Sequence, residues 1–480
     1  MSEIATAEQV ENDSDKLSVV NTDDYNSLKL GQKIAFHGAL SGENQLITGG
    51  GGVGKSFLIN IMERHIKGIV ITGTTGISAI NILGQTIDSF MGFMAGDIST
   101  PERVNRKLRD KLKDLEVLLI DEASMMRIDK FEAIDIRLRV AKNSDKPFGG
   151  VQIILVGDFM QLPPVVNKRE KKYEEYRNAY GNRRFLFESP LYEEAKFTPY
   201  VLIDYIRQGN DEIRQVLRNV RMGNLLEDAV NYLKSVAKGK VDDETIHLVA
   251  TNKAADSINE ERYDALPGRE RVFRAKSSGE IEAKVVPERV VVKEGARVMI
   301  CANNAENDYY NGDLGVVVKI EPTLVKVELD RGGIVEVTEN EWETHGYEKK
   351  KETKKPFKEQ AATQAKEQKA GKDDDKKKLK KVSIGSYKQM PLKLAWAITV
   401  HKSQGLTLDN VCIHFQGMFE QGQPYVALSR PQDYANVAFQ GNLTARTIKF
   451  STEARRFTMK NSKEALKRQQ ADIERFDIAA

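Results

Sequence analysis

Cysteine is scarce in this 480-residue chain. Cys301 and Cys412 each lie in an apolar, strand-like run with no metal-type partner nearby, so both are expected to be buried, reduced thiols. Apolar runs of about 18 residues are absent, so no membrane span is expected. The first 24 residues lack the basic character of a transit peptide and the apolar stretch of a secretory signal. They are polar and acidic (Glu8, Glu11, Asp13, Asp15, Asp23, Asp24), which fits a disordered tail on a cytoplasmic protein, nucleoid-associated, or in the host cytoplasm if viral. Net charge is also small, +3 from 73 basic and 70 acidic residues. Residues 349–381 alone hold 14 Lys against 6 acidic side chains, which leaves the rest slightly acidic. Any nucleic-acid binding by the folded part must therefore come from local grooves. The Lys-rich segment itself reads as a solvated, partly helical excursion or as a mobile arm that attracts nucleic acid.

What is present is organised around Gly49-Gly50-Gly51-Gly52-Val53-Gly54-Lys55-Ser56, which meets the spacing G-x-x-x-x-G-K-[ST] in full. An apolar run precedes it, as a strand would, and an apolar-periodic segment follows, as a helix would. A flexible glycine linker has no reason to sit in that context. The glycines let backbone N–H groups approach phosphate oxygens, and the helix N-terminus adds partial positive charge. Lys55 supplies a point charge for the β- and γ-phosphates, and the Ser56 hydroxyl is placed to ligate Mg²⁺.

Apolar runs at Gln45–Thr48, Gly68–Thr72, Val117–Ile120 and Gln152–Val156 alternate with helical segments, the pattern of a parallel sheet in an α/β lobe. A second series, Tyr200–Asp204, Thr245–Ala250, Ala395–Val400 and Val411–Phe415, predicts a second α/β lobe. Between its strands lie β-branched pieces separated by Asn311-Gly312-Asp313 and Asp330-Arg331-Gly332-Gly333 turns, which predict hairpins of a small inserted barrel. The expected boundaries are a tail at 1–24, a first lobe at 25–200, a second lobe at 201–302 and 391–450, an insertion at 303–390 and a helical extension at 451–480.

Leu118-Leu119-Ile120-Asp121-Glu122 ends an apolar strand in two carboxylates. Asp121 is assigned to the metal and Glu122 to general-base activation of the attacking water. Gln161, in Gly157-Asp158-Phe159-Met160-Gln161-Leu162-Pro163-Pro164, could sense the γ-phosphate or its water, or could simply be a surface glutamine on a rigid proline turn. Arg207 and Arg430 each follow an element end and could act as arginine fingers across a cleft.

These motifs, with Gly73-Thr74-Thr75-Gly76, Thr86-Ile87-Asp88-Ser89-Phe90 and Trp396-Ala397-Ile398-Thr399-Val400-His401-Lys402-Ser403-Gln404-Gly405, together resemble the superfamily 1B DNA helicases of the PIF (petite integration frequency) type. The phage Dda and RecD-like helicases are relatives of that group. The resemblance implies two RecA-like lobes with ATP and Mg²⁺ between them, a wedge insertion at about 91–114 and an SH3-like barrel in the second lobe. It implies ATP-driven 5′-to-3′ movement on single-stranded DNA and unwinding of forked duplex, in replication, recombination or repair. Replication or single-strand-binding proteins are the expected partners, with no membrane, and the acting form is expected to be a monomer. A phosphate-loop ATPase that remodels or packages nucleoprotein without unwinding is the alternative. By resemblance, Gln32 would recognise adenine, and Gly49 to Ser56, Asp121, Glu122, Gln161, Arg207, Gly405 and Arg430 would surround the phosphates. Thr74, Thr75, Phe90, Thr251, Asn252, His401 and Ser403 would meet DNA. The sequence departs from that pattern at Asp88, where histidine is usual, and at Ile206, where an aromatic residue is usual.

Overall fold

The computed structural model describes residues 22–74, 85–93, 104–168, 172–204, 210–279, 281, 284–304, 306–349, 379–404, 406–476 and 478. Short apolar runs form β1 (Gln45–Gly49), β2 (Ile69–Gly73), β3 (Gln85–Thr86), β4 (Val117–Asp121), β5 (Gln152–Val156) and β6 (Thr198–Leu202). They assemble in the order β3-β2-β4-β5-β1-β6, and every pairing is parallel; the run at Tyr200–Asp204, expected to open the second lobe, instead contributes to β6, which pairs with β1 at the edge of the first. Such unbroken apolar strands suit a sheet covered on both faces. Side-chain alternation divides them between two cores. Leu118, Ile120, Ile153 and Leu155 pack with Phe131 and Leu138, whereas Leu119, Ile154 and Val156 pack with Phe36, Leu58 and Met62. Each fully buried aliphatic side chain contributes about 1.5–3 kcal/mol. Because the strands run the same way and β5 lies between β4 and β1, the glycine-rich loop, Asp121 and Asp158 open side by side at one edge.

The extension at the C-terminal end has a structural task. Helix Thr452–Arg475 packs along the edge strand β6 and covers it. Arg468 donates to the Pro199 carbonyl at 3.1 Å, Arg475 pairs with Glu43 at 2.6 Å, and Phe476 stacks on His37.

The second lobe begins with helices Asp211–Met222 and Leu226–Val236, followed by β7 (Ile246–Val249) and helix Asn252–Ala265. The chain then builds β8 (Arg271–Arg274), β9 (Lys276–Gly279), β10 (Arg289–Val292), β11 (Arg297–Ile300), β12 (Leu314–Ile320), β13 (Leu324–Leu329) and β14 (Ile334–Thr338). A long hairpin, β15 (Asn340–Lys349) with β16 (Leu379–Gln389), and the short β17 (Leu392–Leu394) follow. The lobe is completed by β18 (Ala397–Thr399), β19 (Val411–His414) and β20 (Val437–Gln440), in a parallel sheet of order β18-β7-β19-β20.

The β-rich insertion is wider than the 303–390 expected from sequence. β8 pairs with β10, β9 with β16, and β11 with β12 and β17, so strand pairing outside the parallel sheets runs from Arg271 to Leu394. Hydrogen bonding to later strands, which no local pattern reveals, sets that boundary. The tail at 1–21, residues 94–103 of the expected wedge and the Lys-rich stretch 350–378 lie outside the described residues. Both cysteines are buried and free. No helix among the described residues is long and apolar enough to cross a membrane.

Candidate functional site

β1 delivers the glycine-rich loop to the sheet edge. A side chain at Gly49 would strike the Leu202 carbonyl, and Gly54, at φ 78°, occupies the left-handed position that starts helix Lys55–His65. Lys55 Nζ donates to the carbonyls of Gly49 (3.0 Å) and Gly50 (2.9 Å). Gln32 is buried, its Nε2 donating to the Gly54 carbonyl (3.0 Å) and its Oε1 accepting from the Lys29 amide (2.8 Å). The amide group expected to read adenine therefore also braces the loop. Ser56 is exposed on the loop's rim.

β4 places Asp121 and Glu122 opposite this loop. The Asp121 carboxylate accepts from the Glu122 amide at 2.8 Å, and Glu122 takes a left-handed backbone, φ 52°. Burial pushes both carboxyls above the usual range, and for Glu122 the adjacent Asp121 charge adds to the effect. Lys55 is pushed down by burial, against the pull of Asp158, Glu122 and Asp121. Asp158, fully buried after β5, behaves differently. Burial would raise it, but the Arg221 guanidinium contacts both carboxylate oxygens at 2.8–3.1 Å and holds it low.

The second lobe closes the other side of a cleft of about 840 Å³. Gln404 Nε2 donates to Glu122 Oε2 and to Gln161 Oε1, both at 3.0 Å. The Tyr425 hydroxyl accepts from the Gly51 amide at 3.2 Å. Arg430 is buried, donates to the carbonyls of Val426, Ser403 and Leu406, and holds its guanidinium so close that a Cβ on Gly51 would lie 3.2 Å from it. A phosphate loop, two carboxylates, a glutamine pair and an arginine from the opposite lobe thus converge on one cleft. That is the arrangement for transferring a phosphoryl group to water with the site completed by lobe closure.

Comparison with known proteins agrees with this geometry. Residues 29–245 match the PIF1-like helicase family. The Pif1 helicase of Campylobacter jejuni is 32% identical, over 82% of this chain and 87% of that protein, and the Bdellovibrio bacteriovorus Pif1 is 31% identical, over 81% and 82%. This chain belongs to the PIF1-like helicase family. It spans 59% of the length of the Xenopus laevis relative and 58% of the Danio rerio one. Among solved structures, Bacteroides Pif1 in complex with ADP-AlF4 superposes with a TM-score of 0.79 at 29% identity, covering 91% of this chain and 97% of that one. Bacteroides Pif1 bound to ssDNA superposes at 0.61 and 28% identity, over 93% and 98%.

In this PIF1-like chain the residues expected at DNA divide into three groups. Thr251 and Asn252 are exposed, and Thr251 caps helix Asn252–Ala265 through the Ala254 amide. His401 is half-exposed beside Glu420 (3.5 Å), and the Thr74 hydroxyl donates to the Glu122 carbonyl at 2.9 Å. Phe90 and Ser403 do not match the expectation. Phe90 is fully buried in the first-lobe core under the Lys111 ammonium, so its ring has no face for a base. Ser403 is also fully buried, its hydroxyl spent on the Val400 carbonyl. Thr75, Arg207 and Gly405 lie outside the described residues. Asp88, the departure from the family pattern, pairs with Lys130 at 2.8 Å.

Three residues in or behind the cleft carried no assignment from sequence. Gln404 stands inside the His-Lys-Ser-Gln-Gly run quoted above and Tyr425 five residues before Arg430, so proximity to a recognised glycine or arginine was the available signal. Arg221 lies near the end of an ordinary amphipathic helix with no motif around it.

Proposed function

We propose that this PIF1-like chain is an ATP-dependent DNA helicase that moves 5′-to-3′ along single-stranded DNA and opens the duplex ahead of it. The observation that carries the reading is the Gln404 bridge, in which one second-lobe amide holds both Glu122 and Gln161 of the first lobe. Lobe closure and assembly of the hydrolytic site are then the same event. In the mechanism, the loop amides and Lys55 hold the phosphates, and Gln161 and Gln404 orient a water. Glu122 accepts the proton of that water as it attacks, and Arg430 neutralises charge on the departing phosphate. A raised Glu122 carboxyl suits a base that must take up a proton near neutral pH.

Ser56 and Asp121 form a hard oxygen donor set at the cleft, which fits Mg²⁺. When bound, the ion would neutralise phosphate charge. Movement on DNA is coupled to this chemistry through Thr74, whose amide and hydroxyl hold the carbonyls of Asp121 and Glu122. A strand touching the segment after β2 thereby acts on the backbone of the catalytic carboxylates. The Bacteroides relatives known with ssDNA and with forked dsDNA support the choice of substrate. We place the protein in the cytoplasm or on the nucleoid, and assign Arg207, Gly405, Thr75, Thr251, Asn252 and His401 the nucleotide and DNA roles that the resemblance implies.

The test is strand separation from duplexes carrying a single-stranded tail at either end. ATP-dependent opening from the 5′ tail alone is expected. Opening from the 3′ tail alone overturns the direction, and DNA-stimulated hydrolysis without opening from either tail replaces unwinding by remodelling.

A further inference from the structure

Outside the residues that line the nucleotide cleft, the second-lobe sheet gathers three nitrogen and sulfur donors. β7 and β19 run parallel with Cys412 opposite His247 in register, and His414, two residues after Cys412, returns to the same face. The intervening Ile246, Leu248, Val411 and Ile413 point to the opposite face, into the main core of the lobe. His247 Nδ1 lies 2.8 Å from His414 Nε2, the rings meeting edge to face, and the two imidazole nitrogens and Cys412 Sγ all lie within 4.8 Å of one another. On β20, Gln440 is the register partner of His414, and its Oε1 lies 4.0 Å from Cys412 Sγ. The expectation that Cys412 has no metal-type partner is thus incorrect. One imidazole follows it on its own strand and another is supplied by a strand 165 positions earlier in the chain, where only parallel pairing brings it close.

We propose that His247, Cys412 and His414 form a binding site for a zinc-class divalent cation, with the Gln440 amide oxygen or a water in the fourth position. The donor set decides the class. Thiolate with two imidazoles selects zinc over the hard, oxygen-seeking Mg²⁺ of a nucleotide site. The geometry is close to what is needed. Zinc–nitrogen bonds of about 2.0–2.1 Å and zinc–sulfur bonds of about 2.3 Å put tetrahedral ligand atoms roughly 3.3–3.6 Å apart. The imidazoles must part by about half an ångström and the sulfur must close by at most about 1.2 Å, movements within reach of side-chain rotation. Binding breaks Cys412 S–H, whose proton goes to solvent, and the N–H through which one imidazole donates to the other at 2.8 Å, whose proton moves by way of solvent to the other nitrogen of the same ring; the freed sulfur and nitrogen pairs go to the metal, and no electron is transferred. Arg262, whose positive charge acts on His247 from helix Asn252–Ala265, is itself paired with Asp243. A bound cation ties β7, β19 and β20 together directly below the strand end that carries Thr251 and Asn252, so its role is to stiffen that end.

The experiment uses the full chain, stripped with a chelator and titrated with Co²⁺ alone. One equivalent is expected to develop a thiolate-to-cobalt charge-transfer band with the ligand-field bands of four-coordinate cobalt, and Zn²⁺ is expected to displace it. The charge-transfer band disappears in Cys412→Ser and survives in Cys301→Ser. His414→Gln, at a half-buried position and thus less disruptive to folding, weakens binding by at least about 10-fold, since even partners outside the coordination shell are worth roughly 10- to 100-fold. Absence of a charge-transfer band in the parent chain, its survival in Cys412→Ser, or unchanged affinity in His414→Gln overturns the site. If Cys412→Ser does not fold, His414→Gln and Cys301→Ser decide the question between them.

Discussion

The two lobes each present a polar cluster on a parallel sheet, and they differ in whether a buried charge has a partner of opposite sign. The cluster at the ends of β1, β4 and β5 is charged. Lys55, Asp121, Glu122, Asp158 and Arg221 face one another, and ion pairing lets Asp158 stay ionised in full burial. The cluster on β7 and β19 has no such pairing, and its groups move toward their neutral forms. Burial brings the His414 imidazole down to about 4 and the Cys412 thiol up to about 11. Removing charge from water is costly unless an opposite charge replaces the lost hydration. In the first cluster Arg221 meets that condition for Asp158, while burial still moves Lys55, Asp121 and Glu122 toward their neutral forms; the second cluster holds no such pair.

Changes that remove charge from the first cluster give the largest effects. Lys55→Ala should lower ATP turnover at least about 100-fold while leaving measurable single-strand binding, since a preorganised cation at the phosphates is worth that much or more. Glu122→Gln should keep ATP bound and slow turnover by roughly 10²–10⁴-fold. Steady-state hydrolysis with a nucleotide-binding measurement checks both, and wild-type turnover in Glu122→Gln would show that another group is the base.

Breaking a charge pair tests the comparison through stability. Arg221→Ala leaves the Asp158 carboxylate buried without its partner, at a cost of roughly 3–5 kcal/mol. Urea unfolding should show the loss, and Arg221→Ala combined with Asp158→Asn should recover part of it. Equal stability of parent and single variant would mean that solvent reaches Asp158 easily.

A smaller effect is expected at the lobe boundary. Gln404→Ala removes hydrogen bonds to Glu122 and Gln161, and a bond to a charged group is worth about 1.5–3 kcal/mol, or roughly 10- to 100-fold in turnover. The Michaelis constant for ATP should change little, because the phosphate loop is intact.

The smallest effect concerns pH. Glu122 is raised in the folded chain, so the cost of ionising it is absent below its unfolded pKa and fully present above its folded one. Glu122→Gln removes that cost. Its thermal midpoint, measured without nucleotide, should gain on the parent as pH rises from about 5 to about 8. A shift of a few degrees is expected, and a constant difference would argue that Glu122 is not raised.

Much of the first cluster was legible in the sequence because its members sit at the ends of recognisable elements. Gly49 to Ser56 and Asp121-Glu122 each combine a strand with a chemical signature, and parallel pairing then brings those ends together almost automatically. Phe90 shows the limit. An aromatic residue in a segment expected near DNA reads as a stacking platform, but whether its ring faces solvent or core depends on how helix Ile87–Met91 packs, and here it is fully buried. Arg221 was illegible for a related reason: an arginine near the end of an amphipathic helix has no signature until its partner is known.

By itself the sequence determined the phosphate chemistry, the two-lobed α/β architecture and the presence of a β-rich insertion, because each rests on residues close together in the chain. The tertiary structure alone decided which second-lobe groups reach Glu122, where the insertion begins, and that His247 stands beside Cys412. Those are consequences of lobe packing and strand register, which join residues more than a hundred positions apart through backbone hydrogen bonds and shared cores that no local pattern encodes.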